Sequence, residues 1–477
     1  MNKALLSQLL VFVIGFLFGN LYKHSFDPTF RILIALPIGW ALFGICATAV
    51  YSVYFTAVSQ MVLLVVLALT TLALLLANIA QGSLSRDSVL LGGAGLLLLT
   101  VACFFVNQLR IVTMAPDSSY LARFGQNIGL GNYEGSRMVF SMWGPLVPFM
   151  HSITNLLDQK LYWQYQPILS LNLVVLVFYT LYTIIREQKS IFQSCLAATA
   201  LVSLMALSNI FLFNFFYIHN SILSALYLFL CVFALVKMTE QPGTAYELLA
   251  LLSLIAFSLL RPEAPLFAIV TLLVAGFWRG WSYVNRLKVV GPFVALLVAW
   301  YARLYFVLPE TPDNITPPLV IAMIAALVGF GLFAVLSGLK ILDPIVKRTP
   351  SITLIALALL GIILTLVKPD HMLKSLEGIV RNVFVPRPVF TGDWGLTWYV
   401  IIFLATALYF ARRDAAEGPT ERHWMFPVLV AYVLVVYNLA YFREPYHTGP
   451  NDSSNRLVLQ ALPLVLLYLS KVRFAYF

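Results

Sequence analysis

Charge is what this sequence has least of. Only 10% of its 477 residues are Asp, Glu, Lys or Arg, against roughly 25% in an ordinary soluble protein. That shortage excludes a soluble globular enzyme, and the abundance of apolar residues excludes a disordered chain. Cysteine is scarce too. Cys46, Cys103, Cys195 and Cys231 all lie in apolar runs without CxxC spacing, so there is neither a disulfide framework nor a zinc site to read. No HExxH, GxGxxG, P-loop or DxD constellation occurs, which leaves nucleotide-sugar and ATP chemistry without support. The period-2 alternation of a membrane barrel is missing as well.

What is present is apolar: 61% of the residues are hydrophobic and mean hydropathy is +0.89. A membrane-spanning helix needs about 20 mostly apolar residues. Such stretches run near 4–22, 32–54, 57–80, 89–106, 167–185, 191–216, 218–236, 246–260, 264–278, 289–308, 318–339, 351–367, 397–411, 424–442 and 457–470. The segments 246–260 and 264–278 are short and suit a hairpin that does not cross fully. The expected fold is all-α, a polytopic transmembrane bundle of about 13–15 spans with exterior loops carrying short amphipathic helices. It divides into N-terminal helices (1–88), a core with a long first loop (89–308) and C-terminal helices (309–477). Residues 1–22 carry one lysine and no small-residue cleavage site, so they are expected to form a retained helix.

The net charge of +10 does not point to nucleic acid here, because Lys and Arg collect in cytoplasmic loops of membrane proteins whatever their function. Arg279, Arg286 and Lys288 fall in one short connection, Lys340, Lys347 and Arg348 in another, and Arg412, Arg413 and Arg422 in a third. With these placed inside, the loops 107–166, 309–317, 368–397 and 443–456 come out exterior. Polar length is thus concentrated on one side of the membrane. A carrier usually hides its polar groups at mid-membrane, and almost no charge sits at the middle of a span.

The first exterior loop contains residues 115–128, APDSSYLARFGQNI. Tyr120, Phe124 and Ile128 are spaced for one helical face, so a short helix is expected just after Asp117. Asp117 suits a helix N-cap. It also suits a general base that accepts a proton from an incoming hydroxyl at the membrane boundary. Residues 141–150, SMWGPLVPFM, look interfacial, with Pro145 and Pro148 preventing a full span.

This order of features resembles the first exterior loop of GT-C superfamily glycosyltransferases, multi-span enzymes that use isoprenyl-phosphate-linked sugars. Residues 215–223, FFYIHNSIL, are similar to that family's turn between two spans at the exterior face. Residues 259–266, LLRPEAPL, are similar to its basic turn after a short span. Asn455-Arg-Leu followed by residues 461–464, ALPL, resembles its last span. The resemblance covers roughly 89–278 well and 440–477 loosely. It implies transfer of a sugar from a polyprenyl-phosphate-linked donor to a glycan or lipid-linked acceptor of the cell envelope. It also implies a bacterial inner (plasma) membrane location with the site on the exterior face, and it carries the role of catalytic base to Asp117. Three spans precede the one leading into the Asp117 loop, and the loop has one acid where many members show two. No cofactor is called for, and a divalent metal is left open.

Such chemistry needs cations to hold the departing phosphate, and arginine suits that role because its fork binds two oxygens. Exterior basic candidates are Arg110, Arg123, Arg261, Lys374, Arg381, Arg387, Arg443 and Arg456. Substrate contacts are expected from Tyr120, Arg123, His219, Arg261, Glu263, Lys374, Arg381, Asp452 and Arg456. The plainer readings are a hairpin capped by Arg261 with Glu263, a headgroup anchor at Arg456 and a turn cap at His219. Residues 372–384 have a clear helical period: Met372, Leu373, Leu376, Ile379, Val380, Val383 and Phe384 on one face, Lys374, Glu377 and Arg381 on the other. This predicts an amphipathic helix on the exterior membrane surface. Alternatives are an O-antigen-type ligase or polymerase acting on a pyrophosphate-linked glycan, which leans on Arg381 and Arg387, and a lipid or glycan transporter. Membrane lipids are partners under every reading.

Overall fold

A computed structural model describes residues 3–53, 59–109, 116–129, 131–132, 139–140, 143–157, 165–187, 189–240, 243–276, 281–306, 317–385, 394–413, 425–442, 445–447 and 452–473. It is all-α, with no strand among the described residues. Eight helices are long and apolar enough to cross a membrane, and a ninth span counts if the bent pair Ile191–Ala206 and Asn209–Phe216 forms one. The protein is therefore an integral membrane helical bundle. The total reaches the expected 13–15 only when five shorter apolar helices, among them Thr244–Ser258, are counted with the long ones.

The chain divides into two compact units. The first comprises Met1–Asn172, Phe216–Pro265 and Ser282–Gly338. Its helices begin with α1 (Lys3–Leu21), α2 (Pro28–Val53), α3 (Ser59–Ala80), α4 (Arg86–Leu109), α5 (Pro116–Gly129) and α6 (Leu146–Leu157), and α7 (Tyr165–Arg186) starts here. The unit continues with α10 (Ser221–Glu240), α11 (Thr244–Ser258), α13 (Tyr283–Phe306) and α14 (Pro317–Leu336). The second unit holds the rest of α7, then α8 (Ile191–Ala206), α9 (Asn209–Phe216, to Phe215) and α12 (Ala264–Thr271, from Leu266). It ends with α15 (Asp343–Val367), α16 (Pro369–Phe384), α17 (Thr397–Arg413), α18 (Met425–Leu439) and α19 (Ser453–Arg473).

Helix pairs in lipid associate through close packing of small residues and through polar side chains. α1 and α2 show both devices. A Cβ at Gly15 would land on the Ala35 carbonyl, and one at Gly39 on the Val11 carbonyl, so the two backbones touch. At one end of the pair, Arg31 Nη1 donates to Asn20 Oδ1 (2.8 Å), Asn20 Nδ2 donates to Asn78 Oδ1 (2.9 Å), and Asn78 Nδ2 donates to the Leu17 carbonyl (2.9 Å). These bonds tie α1, α2 and α3 together. α2 also carries Pro37 in its interior. Proline has no N–H to give the carbonyl four residues earlier; that carbonyl, Leu33, takes a bond from Asn172 Nδ2 instead (2.9 Å). The Pro37 carbonyl accepts from the Tyr227 hydroxyl (2.9 Å).

In the second unit α15 and α18 pack around Gly361. Asn438 Nδ2 donates to the Leu357 carbonyl (3.0 Å), and Thr365 bonds Tyr437 hydroxyl to hydroxyl (2.7 Å). α16 forms where its periodicity predicts, but it docks by a different face. Met372, Ser375, Gly378, Asn382 and Val383 are buried, while Leu373, Leu376 and Val380 stay exposed. Hydrogen bonding is the reason. The chain at 446–447 needs polar partners, and it finds them in Ser375, which accepts from the Tyr446 amide (3.3 Å), and in Asn382, which donates to the His447 carbonyl (2.7 Å) and to Ser454 Oγ (3.0 Å). Gly378 lets the Tyr446 carbonyl come close. The apolar stripe is left for the lipid, in keeping with a helix at a membrane surface.

The α1–α2 contact yields a test. Gly39→Val pushes the helices apart, and overpacking of this kind costs about 1–3 kcal/mol. The melting temperature of the purified protein in detergent should fall by several degrees; an unchanged value contradicts the backbone contact.

Candidate functional site

The sequence motifs that carry chemistry lie far apart along the chain, yet the first unit gathers four of their turns. α5 begins at Pro116, so Asp117 and Ser118 occupy its first turn, where a carboxylate is favoured by the helix dipole. The Asp117 side chain lies outside the described residues. Ser118 is buried, and its hydroxyl donates to the Ile218 carbonyl (2.9 Å), pinning the start of α5 to the turn before α10. The buried face of α5 is Leu121, Phe124 and Ile128. The expected face of Tyr120, Phe124 and Ile128 is thus displaced at its first position, and Tyr120 points outward, 54% exposed. The cause is α6: a Cβ on Gly125 would strike His151 Cβ, so the helix turns its smallest residue to its neighbour. His151 is buried there, and burial lowers its pKa to about 4, which keeps the ring neutral.

The second turn is Trp143-Gly144-Pro145. Gly144 has φ +74°, and a Cβ there would sit 2.5 Å from the Leu260 carbonyl carbon. Only glycine fits both conditions. The Leu146 amide donates to the Leu259 carbonyl (3.0 Å), which fastens this turn to the third, residues 259–263. The fourth turn, 217–220, supplies the clasp. Asn220 is fully buried; its Nδ2 donates to the Leu260 carbonyl (2.8 Å) and to the Trp143 carbonyl (3.2 Å). One carboxamide thereby joins three segments.

Arg261 and Glu263 form a buried ion pair, Nε to Oε1 2.7 Å. Tyr301 on α13 donates to the intervening Pro262 carbonyl (3.1 Å). Removing one partner of such a pair leaves an uncompensated charge and costs about 3–5 kcal/mol, so the pair fixes the turn. His219 is buried, stacked on Tyr217 (5.1 Å between centroids, 9° between planes) and bonded through Nδ1 to the Ser221 hydroxyl (3.0 Å). That is the turn-capping arrangement. Tyr120 stacks on Trp143 at 5.9 Å and 17°. Arg123 is exposed on α5.

The remaining predicted residues belong to the second unit. Lys374 and Arg381 are exposed on α16, and Arg381 pairs with Glu377 (2.6 Å). Asp452 caps α19: it accepts from the Ser454 amide (2.7 Å), from the Ser454 hydroxyl and from the His447 amide (2.8 Å). Arg456 is half-buried, with Nη2 3.5 Å from Ser453 Oγ. Arg110, Arg387 and Arg443 lie outside the described residues. Among the described residues no group of three or more His, Cys, Asp or Glu side chains is placed to hold a metal ion.

Sequence reading singled out the motifs but passed over the joinery. Ser118, Gly144, Asn220 and Tyr301 were not expected as site residues. Asn220 sits inside the quoted 215–223 stretch, and the Gly-Pro dipeptide at 144–145 is an ordinary turn signal. Neither reveals its distant partner. No family model, curated protein or solved structure matches this chain.

The clasp is testable. Asn220→Leu keeps the volume and removes two hydrogen bonds, each worth about 1 kcal/mol. Thermal unfolding should show a loss of about 2 kcal/mol, together with easier proteolysis near residue 143. A wild-type melting curve and an intact chain contradict the clasp.

Proposed function

We propose that this protein is a membrane glycosyltransferase. It moves a sugar from a polyprenyl-phosphate donor to a hydroxyl of a glycan or lipid-linked acceptor, at the exterior face of a bacterial inner membrane. The observation that supports the reading most is the meeting of four turns, 117–120, 143–146, 217–220 and 259–263, in one unit. Their order along the chain is what resembles the GT-C superfamily, and a site needs them together.

The Asp117 carboxylate takes the proton of the acceptor hydroxyl as that oxygen bonds to the sugar's anomeric carbon. The bond from that carbon to the phosphate oxygen breaks, and the lipid phosphate leaves with the electron pair. A positioned base contributes about 10²–10⁴-fold, and cations near the developing phosphate charge add a similar or larger factor. Arg123, exposed on the same helix as Asp117, is assigned to that phosphate. Arg261 is already matched by Glu263 and serves by holding its turn. Tyr120 is a sugar contact under this reading, and His219, bonded to Ser221, holds its turn as Arg261 does.

Membranes containing the protein should transfer radiolabelled sugar from a polyprenyl-phosphate donor. Asp117→Asn should lower the rate at least a hundredfold while the fold is retained, with only the small drop in melting temperature that loss of a first-turn carboxylate brings. Full activity in that variant removes Asp117 as base. Loss of activity in Arg381→Ala with a fully active Asp117→Asn points instead to a ligase acting on a pyrophosphate-linked glycan.

A further inference from the structure

Tyr120, a sugar contact under the reading above, is paired with Trp143. Tyr120 is the exposed aromatic residue of α5, beside the pinned first turn, while Phe124 on the same helix is buried. Its ring lies nearly parallel to that of half-buried Trp143, 17° between planes and 5.9 Å between centroids. The pair is rigid. Asn220 grips the Trp143 carbonyl, the next residue is Gly144 wedged against Leu260, and Ser118 fixes the turn that carries Tyr120. A flat aromatic surface is therefore held ready next to the carboxylate-bearing turn, and a ligand meeting it loses little to ordering protein side chains.

The face of an aromatic ring is negative. It suits a partner that is flat, carries weakly positive C–H groups and keeps polar groups at its rim. A pyranose ring has that form: axial C–H groups line one face and hydroxyls point outward from the edge. An acyl chain has no such requirement and is served by the branched aliphatic side chains, such as Leu90, Leu97 and Leu98, that this unit exposes elsewhere. An aromatic wall with a few polar groups close by is the usual composition of a small-ligand site.

We infer that Tyr120, backed by Trp143, is the platform on which the pyranose ring of the donor stacks, and that it selects for donors whose sugar presents an uninterrupted C–H face. The inference rests on the glycosyltransferase reading and adds the residue that recognises the sugar rather than the lipid.

The experiment measures binding, not turnover. Full-length protein in lipid nanodiscs is titrated with polyprenyl phosphate and with polyprenyl-phosphate glucose, galactose and mannose. At least one sugar-bearing lipid should bind the wild type about tenfold more tightly than the bare lipid phosphate. That increment should vanish in Tyr120→Leu and survive in Tyr120→Phe, which keeps the ring. Bare-lipid affinity should be the same in all three proteins, which also shows that each variant is folded. An increment that persists in Tyr120→Leu overturns the platform while leaving the glycosyltransferase reading intact. An equal loss of both lipids in Tyr120→Leu overturns it too, because Tyr120 would then be a membrane-interface anchor. If the wild type binds neither kind of lipid, the glycosyltransferase reading fails and the platform falls with it.

Discussion

A backbone carbonyl that is buried, in the bilayer or in the packed turns beside it, has no water to turn to, and the chain must supply a donor of its own. This constraint recurs among the described residues, and asparagine meets it repeatedly. Asn172 serves the Leu33 carbonyl released by Pro37, Asn220 serves Trp143 and Leu260, and Asn382 serves His447. His371 does the same for Ala440 through Nε2 (2.8 Å). Each bond is also a long-range fastening, because the carbonyl belongs to a distant stretch of chain. Polar side chains that a hydropathy profile scores as blemishes are thus the parts that determine where helices meet. The site follows from them: without Asn220 three of its turns have no common tie.

Much of the fold was legible in the sequence. Apolar runs near 32–54, 57–80 and 167–185 became α2, α3 and α7 with ends displaced by a few residues. The period of 372–384 became α16. Burial was not legible in the same way. The most apolar 18 residues of the α3 span are 17% buried and those of the α10 span 94%, yet both stretches are strongly hydropathic. Lipid is as apolar as a protein core, so hydrophobic periodicity loses its power to say which face points inward. The docking face of α16 shows the consequence. Its leucines stay exposed while Ser375, Gly378 and Asn382 are covered, the reverse of what an amphipathic helix does on a soluble protein.

The site was legible as separate motifs and not as an assembly. The stretches around Asp117, Trp143, His219 and Arg261 attract notice because each breaks an apolar run at a span boundary. Their convergence depends on bonds such as Ser118 to Ile218 and Asn220 to Leu260, which join residues 100 and 40 positions apart. Local spacing carries no trace of such pairings. The structure also divides the predicted residues by what they do. Arg261, Glu263 and His219 are engaged in holding turns, while Tyr120 and Arg123 face outward from α5, which begins at Pro116.

The glycosyltransferase proposal requires the Asp117 end of α5 to stand at the exterior face, where a lipid-linked donor reaches it. Site-directed labelling measures this most directly. In a background with Cys46, Cys103, Cys195 and Cys231 replaced, Asp117→Cys is treated in sealed right-side-out vesicles with a membrane-impermeant maleimide. Labelling from outside is expected, with protection by a polyprenyl-phosphate sugar added beforehand. Labelling only after the cytoplasmic face is opened, or labelling that the donor does not slow, would contradict the proposal.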